Sequence, residues 1–140
     1  MALRLRKNEK LELIAKVPLF AGLSKRELGQ VASIADEIDL PDNKVLMREG
    51  DRGREFYVLI DGEVQVTRGG KTVATRGSGD FVGEIALVSR LPRTATVTTR
   101  KPVRALVIRD VEFRALLQRT PPIALKVLQA VADRLPPDAG

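Results

Sequence analysis

Leu11, Leu13, Ile14 and Val17 recur along one side of a short helix, and Pro18 stops the pattern by disfavouring helical backbone in the residue before it. Ser24 and Glu27 then stand at capping-box spacing, in which each side chain satisfies a backbone donor at a helix start. Leu28, Val31, Ala32 and Ala35 give this second helix a single apolar stripe. From Asp39 the pattern changes to short β runs separated by Gly and Asp: Val45 to Met47, Glu55 to Ile60, Glu63 to Arg68 and Lys71 to Arg76. Asp61-Gly62 and Gly69-Gly70 each separate two runs and take positive φ at low cost, which predicts two consecutive hairpins.

Ala95 to Thr99 and Val103 to Ile108 add two strands, after a segment from Gly77 to Arg93 that does not read as a plain strand. Asp110 is placed to cap a helix running to about Leu117, and Thr120-Pro121 opens a final helix with proline in its first turn. Ile123, Ala124, Val127, Leu128, Val131, Ala132 and Leu135 recur at helical spacing until Pro136-Pro137 ends the pattern. The predicted fold is mainly β with flanking helices, an antiparallel β region between N-terminal and C-terminal helices.

A length of 140 residues suits one domain and one core, so one site is expected. An apolar fraction of 44% with 30% charged residues is ordinary for a globular protein, and the lack of Trp makes the core aliphatic. Lys and Arg total 24 against 18 acidic residues, a net +6 that favours anionic partners, yet the charges are spread as on a solvated mixed surface.

With no Cys and no His, disulfides, zinc centres, thiol nucleophiles and the commonest general base are all missing, and no carboxylate cluster suggests an oxygen-ligated metal. These absences point to binding rather than catalysis, so neither cofactor nor metal is expected. Glu9, Lys10, Glu12 and Lys16 interrupt any signal-peptide apolar region, and no stretch approaches the roughly 20 apolar residues that span a bilayer. A cytoplasmic location is expected, or the cytoplasmic side of a membrane protein if the domain belongs to a longer chain.

Candidate chemistry concentrates in Phe81-Val82-Gly83-Glu84-Ile85-Ala86-Leu87 and Pro92-Arg93-Thr94-Ala95-Thr96-Val97. Gly83 allows a ligand close to the backbone, and the helix formers after it would present free amides to an anion. Arg93 offers a planar, permanently charged fork for two phosphate oxygens. Glu84, an acceptor-only carboxylate, suits the proton of a ribose hydroxyl. A phosphate clamp and a sugar acceptor this close together describe a ribose phosphate pocket.

This segment resembles the phosphate-binding cassette of the cyclic-nucleotide-binding domain family. Val17-Pro18-Leu19-Phe20-Ala21-Gly22-Leu23-Ser24, Glu49-Gly50-Asp51, Phe56-Tyr57-Val58 and Asp61-Gly62-Glu63-Val64 resemble that family's flanking blocks, in order, so that Leu11 to Leu135 is covered. The resemblance implies a β-roll (jelly-roll-like) domain over residues 11–135, after a basic N-terminal segment at 1–10 and before a short tail at 136–140. It implies that Arg93, Thr94, Ala95, Ile85 and Ala86 bind the cyclic phosphate of cAMP or cGMP, and that Gly83 and Glu84 bind the ribose.

In the family the last helix acts as a movable lid over the base. Candidates for base contact or lid are therefore Val82, Thr94, Leu125, Leu128, Val131 and Arg134. Val111 to Gly140 holds no aromatic residue, so an aliphatic or Arg lid must replace the Tyr or Trp cap of some members. Threonine after the cassette arginine resembles cGMP-responsive members, without excluding cAMP. Asn43 stands where many members place Gly in a turn, and Asn tolerates positive φ.

The expected function is a regulatory module that switches an attached or associated effector by moving its terminal helices. The alternative is a scaffold that kept the fold and lost the ligand, with the last helix as an oligomer or homodimer contact. A metal enzyme of the cupin type is disfavoured by the absence of His. The helix-turn-helix of DNA-reading members does not fit in the five residues after Leu135, so no DNA binding is expected of this chain.

Overall fold

The computed structural model describes residues 5–133, apart from the side chain of Ile85. Helix α1 (Lys7–Ala15) leads into a 3₁₀ turn (Pro18–Phe20) and α2 (Lys25–Ala32). Eight strands follow: β1 (Ala35–Leu40), β2 (Val45–Met47), β3 (Glu55–Asp61), β4 (Glu63–Arg68), β5 (Lys71–Gly77), β6 (Phe81–Val82), β7 (Thr96–Thr99) and β8 (Val103–Arg109). A second 3₁₀ turn (Glu84–Leu87) lies between β6 and β7, and α3 (Asp110–Arg119) and α4 (Pro121–Asp133) complete the order.

The strands form two antiparallel sheets, ordered β1-β8-β3-β6 and β2-β7-β4-β5. β3 and β8 read as continuous apolar runs because both of their faces are covered. Phe56, Val58, Leu106 and Ile108 point into one core with the helices, whereas Tyr57, Leu59, Ala105 and Val107 point into a second core against the other sheet. The period of two thus sorts neighbouring residues into different cores, and the first sheet becomes the middle layer. Phe20 joins Phe56 and Phe113 at ring-centroid distances of 6.3 Å and 5.8 Å, fixing the first 3₁₀ turn and α3 on that layer.

Several local expectations hold. Ser24 and Glu27 form the reciprocal capping box of α2, with Glu27 N–H to Ser24 Oγ at 3.2 Å and Ser24 N–H to Glu27 Oε1 at 2.8 Å. Asn43 takes φ 59°, so its turn is kept. β4 and β5 form the hairpin predicted at Gly69-Gly70, whose φ values of 59° and 79° suit a tight two-residue turn.

Three expectations are corrected. The run around Asp61-Gly62 is not a paired hairpin: β3 lies in one sheet and β4 in the other, so the chain changes layer there. A Cβ at Gly62 would sit 2.6 Å from the Pro102 carbonyl oxygen, a backbone approach that supplies the reason for glycine at this crossing. Ala35, assigned above to the stripe of α2, instead opens β1, and α2 stops at Ala32.

β1 is hard to read locally because Ala35-Asp36-Glu37-Ile38-Asp39-Leu40 carries three carboxylates. β8 supplies their counter-charges, with Arg104 to Glu37 at 2.9 Å, Arg104 to Asp39 at 3.7 Å and Arg109 to Asp36 at 2.7 Å. Pairing with a neighbouring strand overrides local propensity. Asp110, finally, is the first residue of α3 and Arg109 the residue before it, the Asp110 carboxylate accepting the Val111 N–H at 2.8 Å and facing Arg114 at 3.8 Å.

Candidate functional site

A cavity of about 310 Å³ is lined by residues from strands of both sheets. Its lining includes the segment singled out above, with Val82, Gly83, Glu84 and Ala86 beside Arg93, Thr94 and Ala95. Ile85 lies in the same 3₁₀ turn. Gly83 holds φ 85°, a conformation that favours glycine, and thereby turns the chain sharply from β6 into the 3₁₀ turn. Within that turn the Ala86 N–H donates to the Gly83 carbonyl at 3.1 Å.

Arg93 is seated by its surroundings at both the backbone and the side chain. Its N–H donates to the Asp51 carbonyl at 2.6 Å, its carbonyl accepts the Gly50 N–H at 2.8 Å, and a β-bridge joins Arg52 to Pro92 beside it. The guanidinium is only 9% exposed for the residue, with Nη2 donating to the Glu55 carbonyl at 2.6 Å and Nη1 reaching the Gly83 carbonyl at 3.4 Å. Burial lowers its pKa below the ordinary arginine value, while Glu55 and Tyr57 act in the opposite direction. It stays a cation, because arginine does not deprotonate in proteins.

The fit around that guanidinium depends on two glycines. A Cβ at Gly53 would stand 2.6 Å from Arg93 Nε and 2.7 Å from Cζ, and one at Gly83 would stand 2.6 Å from Nη1. The charged fork therefore lies in a slot that any larger side chain would close. Glu84, 6% exposed, lines the same cavity, so a buried cation and a buried carboxylate bound one space.

The lining also includes Val66 and Arg68 of β4 and Arg76 of β5. Arg68 Nε donates to the Thr94 carbonyl at 2.9 Å, tying β4 to the residue after Arg93. Gly53, Arg68 and Arg76 are not singled out by the sequence pattern. Period-two spacing puts Val64, Val66 and Arg68 on one face of β4, and that alternation is the available signal: the apolar face becomes charged where it leaves the core and enters the cavity.

The candidate lid residues stand elsewhere in this conformation. Ile123 and Val127 anchor α4 in the helical core, and Val131 packs partly against it. Leu125 and Leu128 are 68% and 64% exposed on the outward side, and none of the three candidates lines the cavity. Arg134 falls outside the described residues. Among the described residues no group of His, Cys, Asp or Glu is arranged to hold a metal ion, and no helix is long and apolar enough to cross a membrane.

The profile of the family described as "Cyclic nucleotide-binding domain" matches residues 37–120, more than half of the chain. A cyclic nucleotide-gated potassium channel of Rhizobium etli is 32% identical over 123 residues, which cover 88% of this chain and 34% of the channel. The chain thus spans about a third of the length of that relative. Among solved structures, the N-terminal domain of a transcriptional regulator from Streptomyces coelicolor superposes with a TM-score of 0.79 at 31% identity, covering 87% of this chain and 91% of that one. The regulatory domain of Toxoplasma gondii PKA, solved with cAMP, gives 0.73 at 29% identity over 79% of this chain and 44% of its own. With its profile match extending from β1 to the end of α3 and its cassette folded against a buried arginine, the chain belongs to the cyclic nucleotide-binding domain family.

Proposed function

We propose that this chain is a regulatory module that binds cAMP or cGMP in the cavity beside Arg93 and switches an attached or associated effector through movement of its terminal helices. The observation that carries the reading is the enclosure of one cavity by a buried, pre-seated guanidinium and a buried carboxylate, on a domain of this family. Arg93 would neutralise the cyclic phosphate together with backbone donors of Ile85 and Ala95 and the Thr94 hydroxyl, and with the Ala86 N–H once the ligand draws it from the Gly83 carbonyl. Gly83 and Glu84 would receive the ribose, the carboxylate accepting its 2′-hydroxyl proton. Val82 and Thr94, which line the cavity, would meet the base, with the Thr94 hydroxyl serving a guanine amino group.

The path to an effector begins at the 3₁₀ turn that bears Glu84. Leu87 at its end is fully buried in the same core as Phe113 and Leu116 of α3 and Ile123 of α4. A ligand that shifts the turn thereby changes the packing of both helices, and it biases their position to the extent that it prefers one arrangement over the other. Leu125, Leu128, Val131 and Arg134 act as a lid only after α4 moves, and the exposed Leu125 and Leu128 are equally suited to a homodimer contact.

Thermal unfolding tests the reading. Ligand at 100 times its dissociation constant adds about 2.7 kcal/mol of stability, so saturating cAMP or cGMP should raise the melting temperature. No shift with either nucleotide at millimolar concentration would leave the ligand-free scaffold as the better account.

A further inference from the structure

Beside Gly53, which borders the seat of Arg93, the surface carries another hollow of about 210 Å³, lined by Arg52, Arg54, Arg90 and Arg114 together with Asp110 and Val111. We propose that this arginine hollow docks an acidic segment of a partner protein, with carboxylate side chains entering between the guanidiniums and an apolar neighbour resting on Val111.

The charge balance is the first support. Asp110 is the one carboxylate in the hollow and already faces Arg114 at 3.8 Å. Arg52, Arg54 and Arg90 are exposed, and their side chains form no ion pair or hydrogen bond with another described residue. Guanidinium forks held close together repel one another, and bidentate carboxylates relieve that repulsion.

The positions of these residues are fixed by backbone, which limits how far the cluster can disperse. Arg52 bridges Pro92, and the Arg54 carbonyl accepts the Asp110 N–H at 2.9 Å, so the Gly50–Arg54 segment is tied to the cassette loop on one side and to α3 on the other.

Two features favour a protein over a nucleic-acid backbone. Val111 is 73% exposed at the edge of the hollow, offering an apolar contact that a phosphate chain does not use. The hollow is also smaller than the nucleotide-sized cavity, as suits individual side chains.

Fluorescence anisotropy with a labelled peptide of alternating Glu and Leu, at low salt and without nucleotide, tests this. The native chain should bind the peptide, and the combined variant Arg52→Gln/Arg54→Gln/Arg90→Gln should lose about 10-fold or more in affinity. A control with the same charge removed elsewhere, Lys7→Gln/Lys16→Gln/Lys25→Gln, should lose only about twofold, because screened distant charges contribute little. Circular dichroism melting of each variant establishes that it is folded. Absence of peptide binding, or equal losses in the two variants, would overturn the proposal. So would tighter binding of a single-stranded oligothymidylate of equal charge.

Discussion

Replacing Gly53 by alanine places a methyl group where the structure puts the guanidinium of Arg93. The new Cβ would lie 2.6 Å from Nε, 2.7 Å from Cζ and 2.9 Å from Nη1. Carbon contacts become favourable only near about 3.5 Å, so the guanidinium must retreat by roughly 1 Å. Gly83 blocks part of that retreat, because its backbone lies on the Nη1 side of the fork. The remaining way out is into the cavity, at the expense of the 2.6 Å bond from Nη2 to the Glu55 carbonyl. A hydrogen bond to a charged group is worth about 1.5–3 kcal/mol, which corresponds to one to two powers of ten in affinity.

Gly53→Ala should therefore weaken cyclic nucleotide binding by roughly 10- to 100-fold in a calorimetric titration. The fold should persist, since Gly53 contributes no side chain to either core. A native-like dissociation constant in a folded Gly53→Ala protein would refute the idea that the slot between the two glycines sets the arginine's position.

Other perturbations separate the remaining roles. Glu84→Gln should weaken cAMP by about 1.5–3 kcal/mol yet change 2′-deoxy-cAMP little, because the lost acceptor is assigned to the ribose hydroxyl; equal losses for both ligands, measured by calorimetry, would remove Glu84 from that role. Gly29→Ala should stabilise the protein by about 0.5–1 kcal/mol in chemical denaturation, because Gly29 lies inside α2 and an added Cβ meets nothing within 4 Å; destabilisation would contradict the open environment.

The Glu27 carboxylate is held below the ordinary glutamate value of 4.5, chiefly by its 2.6 Å bond to Lys126 and then by the Ser24 backbone. Because its folded pKa is depressed, its contribution is complete above 4.5 and is lost as the pH falls through the lower folded value. Acid unfolding followed by circular dichroism should show Glu27→Gln losing less stability than the native chain across that window, and identical pH profiles would count against the pair.

What could be read from the sequence follows from how local each signal is. The capping box of α2, the Gly69-Gly70 hairpin and the positive φ at Asn43 depend on residues within a few positions of one another, so their spacing is enough. The cavity wall from Val82 to Ala95 was legible for a related reason: its glycine, carboxylate and arginine lie on two adjacent stretches of chain.

β1 was obscured because its three carboxylates are compensated by Arg104 and Arg109, some seventy residues away in sequence. The change of sheet at Asp61-Gly62 looked like a hairpin because turn chemistry reports only that the chain reverses, and a strand buried on both faces is free to find a different partner. Gly53, Arg68 and Arg76 come to the site through strand pairing and through the clamp between Gly50–Asp51 and Arg93, neither of which leaves a local pattern. The outward position of Leu125 and Leu128 was hidden because an apolar residue at helical spacing carries no record of whether it faces a core, a ligand or solvent.

The central claim is that a seated arginine holds a ring-closed phosphodiester. Isothermal calorimetry of the native chain and of Arg93→Ala, each titrated with cAMP, cGMP and the corresponding non-cyclic monophosphates, addresses it in one data set. The account predicts that a cyclic nucleotide binds the native chain more tightly than its open counterpart, and that Arg93→Ala loses about 2–5 kcal/mol of that binding while remaining folded. Unchanged cyclic nucleotide binding in the Arg93→Ala protein would contradict it.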